Sequence, residues 1–121
     1  MPSMLVPSLT TAPAFGTVTT SVKLPRKATS VENTLLYWNA LAPTDGVDMW
    51  TQNGPTSTGP TDPGSLKLLS FTLPAGGIKT EQRNVESFCL PVPQGHDHLH
   101  FRLRNASASG HTITALTAFN Y

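Results

Sequence analysis

The chain predicts an all-β fold: a single antiparallel β-sandwich, jelly-roll-like, with an extended N-terminal arm. Three observations carry this expectation. Its 121 residues suit one domain with a real but modest core. Eleven prolines and nine glycines interrupt it at short intervals, which suits turns and bars long helices. Between them lie short runs rich in Thr, Val, Ile, Leu and aromatic residues, the material of strands.

Taken in order, residues 1–14 (MPSMLVPSLTTAPA) read as the arm and 15–121 as the sandwich domain. Pro2, Pro7 and Pro13 prevent a helix there. Met4, Leu5, Val6 and Leu9 therefore need another surface to cover them, and they are the first candidate partner-binding residues. Strands are expected at 15–24, 34–40, 47–51, 66–73, 78–82, 84–90, 97–104 and 111–120. One stretch has two readings. TSVENTLLYWNAL offers Thr29 and Glu32 as a helix capping box, with Val31, Leu35 and Trp38 at helical spacing, yet TLLYW is also good strand material. Strand is preferred for 29–41. NGPTSTGPTDPGS, residues 53–65, is a long loop of the kind that binds a ligand or simply moves.

Composition narrows the function. Charged residues are 12 % of the chain, about half the usual share. Eight Lys and Arg against seven Asp and Glu leave +1, so no basic footprint for nucleic acid is present. Such weak charge suits a protein packed against other subunits. No stretch approaches the ~20 apolar residues of a membrane span, and no signal peptide is visible at the start. Cys89, the sole cysteine, excludes an intrachain disulfide and is expected to be a small buried hydrophobe.

GHDHLHF, residues 95–101, sets His96, His98 and His100 two apart, which raises the question of a metal. Strand side chains alternate between faces. Leu99, Phe101 and Leu103 then form an apolar stripe toward the core, while His98, His100, Arg102 and Arg104 point outward, with His96 in register. Two arginines on the histidine face oppose a bound cation. A cupin-type metal site would also need a glutamate shortly after the histidine pair, and HLHFRLRNASASGH has none. No metal and no cofactor are expected. His98, His100, Arg102 and Arg104 are instead candidates for a subunit contact.

Other chemistry is absent from the pattern: no G-x-S-x-G, H-E-x-x-H, G-x-x-x-x-G-K or G-x-G-x-x-G occurs. An enzyme is not expected. NAS at 105–107 matches a glycosylation acceptor by chance composition. Trp50, Gln52 and Asn53 before the long loop leave open a carbohydrate- or receptor-binding module of a phage tail or fibre, although core packing is the commoner role for Trp50. A metal-dependent cupin-like enzyme is the third reading.

The apolar arm, the low charge and the closing run LHFRLRNASASGHTITALTAFNY, a strand, small-residue turn and final strand, give the chain a general layout. That layout resembles the small β-sandwich decoration, or cement, proteins of tailed bacteriophages. The resemblance implies a structural protein made in the host cytoplasm and placed on the capsid surface of the virion. It further implies a homotrimer that binds the major capsid protein and stabilises contacts between capsomers, with neither nucleic acid nor membrane as partner.

Overall fold

The structure, a computed structural model, describes residues 3–24, 28–38, 45–56, 59–61, 64–72 and 82–121. Eight strands follow in chain order: β1 Ser3–Ala12, β2 Thr17–Lys23, β3 Ser30–Trp38, β4 Gly46–Gln52, β5 Leu66–Thr72, β6 Gln82–Pro91, β7 His98–Arg104 and β8 His111–Asn120. The described residues contain no helix. The strands make two antiparallel four-stranded sheets, β1-β8-β3-β6 and β2-β7-β4-β5. This is the jelly-roll arrangement.

Its logic is a long hairpin rolled up. β1 pairs with β8, β2 with β7, β3 with β6 and β4 with β5, so the pairs are nested one inside the next. The β4–β5 pair sits at the apex of that hairpin and the Ser3↔Asn120 pair at its base. Rolling then adds the β3–β8 and β4–β7 pairings that complete the sheets.

The core lies between the two inner faces. Val6 comes from β1, Val31 and Leu36 from β3, and Val47 and Met49 from β4. Leu99, Phe101 and Leu103 come from β7, and Ile113 and Phe119 from β8. The stripe expected on β7 is buried as the alternation requires. Segment 29–41 resolves as strand over Ser30–Trp38. Its apolar residues satisfy a sheet flanked by β6 and β8 on either side, which a short helix could not. A bulge between Val31 and Asn33 absorbs the extra residue. The strand expected at 78–82 lies outside the described residues except for Gln82, which opens β6. The Cys89 side chain is likewise outside what is described.

The arm is where the structure departs most from the sequence reading. Residues Ser3–Ala12 are β1, hydrogen-bonded in register along β8 from Ser3↔Asn120 to Ala12↔His111. They belong to the sandwich body, with Val6 and Ala12 buried in its core. The physical reason is the edge position: β1 pairs on one side only, and a proline is tolerated on an edge strand because its missing N–H need not serve a second neighbour.

Candidate functional site

Alternation along β1 sends Val6, Ser8, Thr10 and Ala12 inward and Leu5, Pro7, Leu9 and Thr11 outward. Both faces are mixed in polarity. Two polar residues are buried while Leu5 and Leu9 stand 64 % and 61 % exposed. Thr10 is satisfied, donating to Thr20 Oγ1 at 3.0 Å. Ser8 Oγ is buried without a hydrogen-bond partner. A register shift of one residue would bury both leucines and free both hydroxyls but expose Val6 and Ala12, and the pairing with β8 fixes the register observed. Opposite Pro7 lies the exposed Leu116 of β8, and opposite Leu116 the half-buried Leu35 of β3. The outward residues of β1 and β8 carry no ionisable side chain. They form a neutral face, with an apolar patch at Leu5, Pro7, Leu9 and Leu116, on the outside of the β1-β8-β3-β6 sheet.

The outer face of the other sheet is chemically different. Cross-strand register places Asp48 beside Arg102, Trp50 beside His100 and Gln52 beside His98. Asp48 Oδ2 accepts from Arg102 Nε at 2.7 Å and Arg104 Nε at 2.9 Å, and Oδ1 accepts from Ser70 Oγ at 2.6 Å. Burial of the carboxylate raises its pKa, but the bonds from Ser70, Arg102 and Arg104 outweigh it and hold Asp48 below the usual 3.8. A methyl on Gly46 would meet the Arg104 guanidinium, which would have to shift.

His98, His100, Arg102 and Arg104 do point away from the core, as the alternation predicts, but they are not an open surface. His100 is fully buried. Its ring stacks on Trp50 at 5.3 Å, Nδ1 lies 2.7 Å from Ser21 Oγ, and Nε2 lies 3.2 Å from the Gly54 carbonyl. Gly54 N also donates to Asp97 Oδ1 at 3.0 Å, and Asp97 takes His98 Nδ1 at 2.7 Å. The start of the 53–65 loop is thereby strapped across the histidines. Arg102 packs over Trp50 and against the buried Gly59 of the same loop. Trp50 is itself 0 % exposed, so its face is unavailable for stacking on a sugar. His96 is held inward by Thr51 at 3.0 Å. Among the described residues no three His, Cys, Asp or Glu side chains gather to hold a metal ion.

A third cluster, at one end of the sandwich, escaped the sequence reading. His111 Nδ1 meets Asp45 Oδ2 at 2.7 Å, both residues buried, and Ser107 Oγ lies 3.3 Å from His111 Nε2. The residue types are those of a hydrolase triad, but the geometry is not. Ser107 Oγ is also 3.4 Å from Nδ1. Near-equal distances to both nitrogens place it over the ring rather than along the Nε2 lone pair, so the ring cannot take its proton. The amides of Ala106 and Ser107, the nearest oxyanion donors, already bind Asp45 and Asn105. The cluster holds a turn. Asn105 is buried with Nδ2 directed at the carbonyls of Ala12, Pro13 and Ser109, so the NAS asparagine has no free amide for a glycan.

No family model and no curated protein matches the sequence. Solved structures share the architecture. The enzymatically active domain of tailspike protein 4 from bacteriophage CBA120 aligns with TM-score 0.52 at 12 % identity, over 96 % of this chain and 19 % of that one. FLHE aligns with TM-score 0.51 at 8 % identity, over 99 % and 97 %. The cyanophage Pam1 capsid includes a chain at TM-score 0.47 and 18 % identity, over 98 % and 86 %. At these identities the likeness is one of fold alone.

Proposed function

We propose that the chain is a structural virion protein that sits on the outer capsid surface, binds the major capsid protein and stabilises contacts between capsomers, acting as a homotrimer and not as an enzyme. The exposed leucines of β1 carry this reading. A strand that buries Ser8 and Thr10 while exposing Leu5 and Leu9 is stable in isolation only at a loss, and that loss is recovered when another surface covers the leucines. The neutral surroundings favour an equally uncharged protein surface over nucleic acid. The CBA120 tailspike neighbour gives the same sandwich a virion setting.

The test is co-sedimentation with shells of the virus that carries this gene, prepared without the protein. Covering each leucine stabilises by roughly 1.5–3 kcal/mol, so Leu5→Thr/Leu9→Thr should keep the strand spectrum and lose roughly a hundredfold or more in affinity. Unchanged occupancy by that variant would remove the basis of the reading.

A further inference from the structure

The turn that carries the chain from β1 in one sheet to β2 in the other holds a residue in a conformation that does not suit it. Gly16 N bonds Pro13 O at 3.0 Å, closing a four-residue turn, and Phe15 at its third position has φ 53°. That place belongs to Gly or Asn, and a bulky side chain there is strained. The ring gains little in return from its own chain, since Phe15 is 73 % exposed.

Much of the surrounding structure holds the turn in this shape. Phe15 N donates to Ser107 O at 3.0 Å, and Asn105 N donates to Gly16 O at 2.8 Å. Asn105 Nδ2 reaches Pro13 O at 2.9 Å and Ser109 O at 2.7 Å, tying this turn to the β7–β8 turn. A methyl on Gly16 would strike Pro13. The phenyl ring is therefore displayed from a preformed, rigid base, which lowers the ordering cost of binding. Residues 13–17 and 105–110 carry no ionisable side chain, so the knob stands on a neutral platform of small residues.

We infer that Phe15 is an anchor residue that inserts into an uncharged, concave apolar pocket of a neighbouring shell protein, a contact separate from the Leu5/Leu9 face. This rests on the virion reading above. A convex aromatic on a rigid neutral turn has the character of an interface hot spot. A bilayer is a poorer fit, because peripheral binding takes several apolar residues with cations beside them, and the tip offers one ring, while the neighbouring cation, Arg104 opposite Thr17, is paired with Asp48.

The discriminating variant is Phe15→Asn, which removes the ring and suits the positive φ. Its melting temperature should equal or exceed that of the parent, while affinity for protein-free shells of the virus falls roughly thirtyfold, the loss expected of a hot spot. Parent protein that fails to bind shells at all overturns the virion reading and the anchor with it. Parent and F15N binding equally overturns the anchor alone. A lower melting temperature for F15N would make Phe15 a structural residue and overturn the inference. So would Phe15-dependent binding to phosphatidylcholine vesicles, or Phe15-dependent self-association in sedimentation without shells.

Discussion

Asp48 is buried, and its two oxygens are shared among Ser70, Arg102 and Arg104. Replacing it by Asn leaves two guanidiniums facing a weaker acceptor. Breaking a fully buried pair costs about 3–5 kcal/mol, but the Arg104 side chain is 38 % exposed and water screens part of the loss. Asp48→Asn should cost about 2 kcal/mol in denaturant unfolding. Because the folded pKa lies below the usual 3.8, the carboxylate stabilises fully above that value. The benefit disappears as pH falls from 3.8 through the folded value. The parent should lose this part of its stability in that acid window, and the Asn variant should not show it. A variant whose acid profile parallels the parent would assign the acid sensitivity to other groups. In the sequence, Asp48 and Arg102 stand 54 positions apart with no local pattern linking them. The outward stripe of His98, His100, Arg102 and Arg104 was legible because it is local. The Trp50 ring, the strap at Gly54 and the carboxylate that cover it were not.

At the scale of elements, β7 and β1 show what decides legibility. On β7 the apolar residues fall on one stripe and the polar on the other, so alternation fixes its orientation before any fold is known. On β1 the run MLVPSLTT places apolar residues on both stripes, and Pro7 argues against a central strand. The resulting expectation of a separate arm took its apolar residues as all equivalent, whereas pairing with β8 splits them into inward Val6 and outward Leu5 and Leu9. The consequence can be measured. Deleting residues 2–13 would strip the β1 partner from β8 along its length and open the core at Val6 and Ala12. The truncated chain should lose cooperative unfolding. A truncated protein that still melts cooperatively near the parent temperature would restore the separate-arm description.

The whole molecule is a set of nested pairs, and nesting sets the order of assembly. The innermost described pair, Thr51↔Leu66, closes 15 positions, whereas the outermost, Ser3↔Asn120, closes 117. Each doubling of a closed loop costs about 0.6 kcal/mol, so the outer closure made first would cost roughly 1.8 kcal/mol more than the inner. Made after the inner pairs, it closes only the short remainder at the base of the hairpin. Zipping from the β4–β5 apex toward the termini is therefore the cheap route, and the non-local pairing as a whole places refolding in the slow range of milliseconds to seconds. Two truncations separate the stages. Leu69→Ala on β5 and Val6→Ala on β1 both empty core volume, at roughly 2–4 and about 2 kcal/mol. Leu69→Ala should act mostly on the folding rate, because its contacts form in the nucleus. Val6→Ala should leave folding nearly unchanged and speed unfolding, since β1 docks after the barrier. A chevron in which Val6→Ala slows folding in proportion to its full loss of stability would place the β1–β8 pair in the nucleus, and zipping from the apex would be wrong.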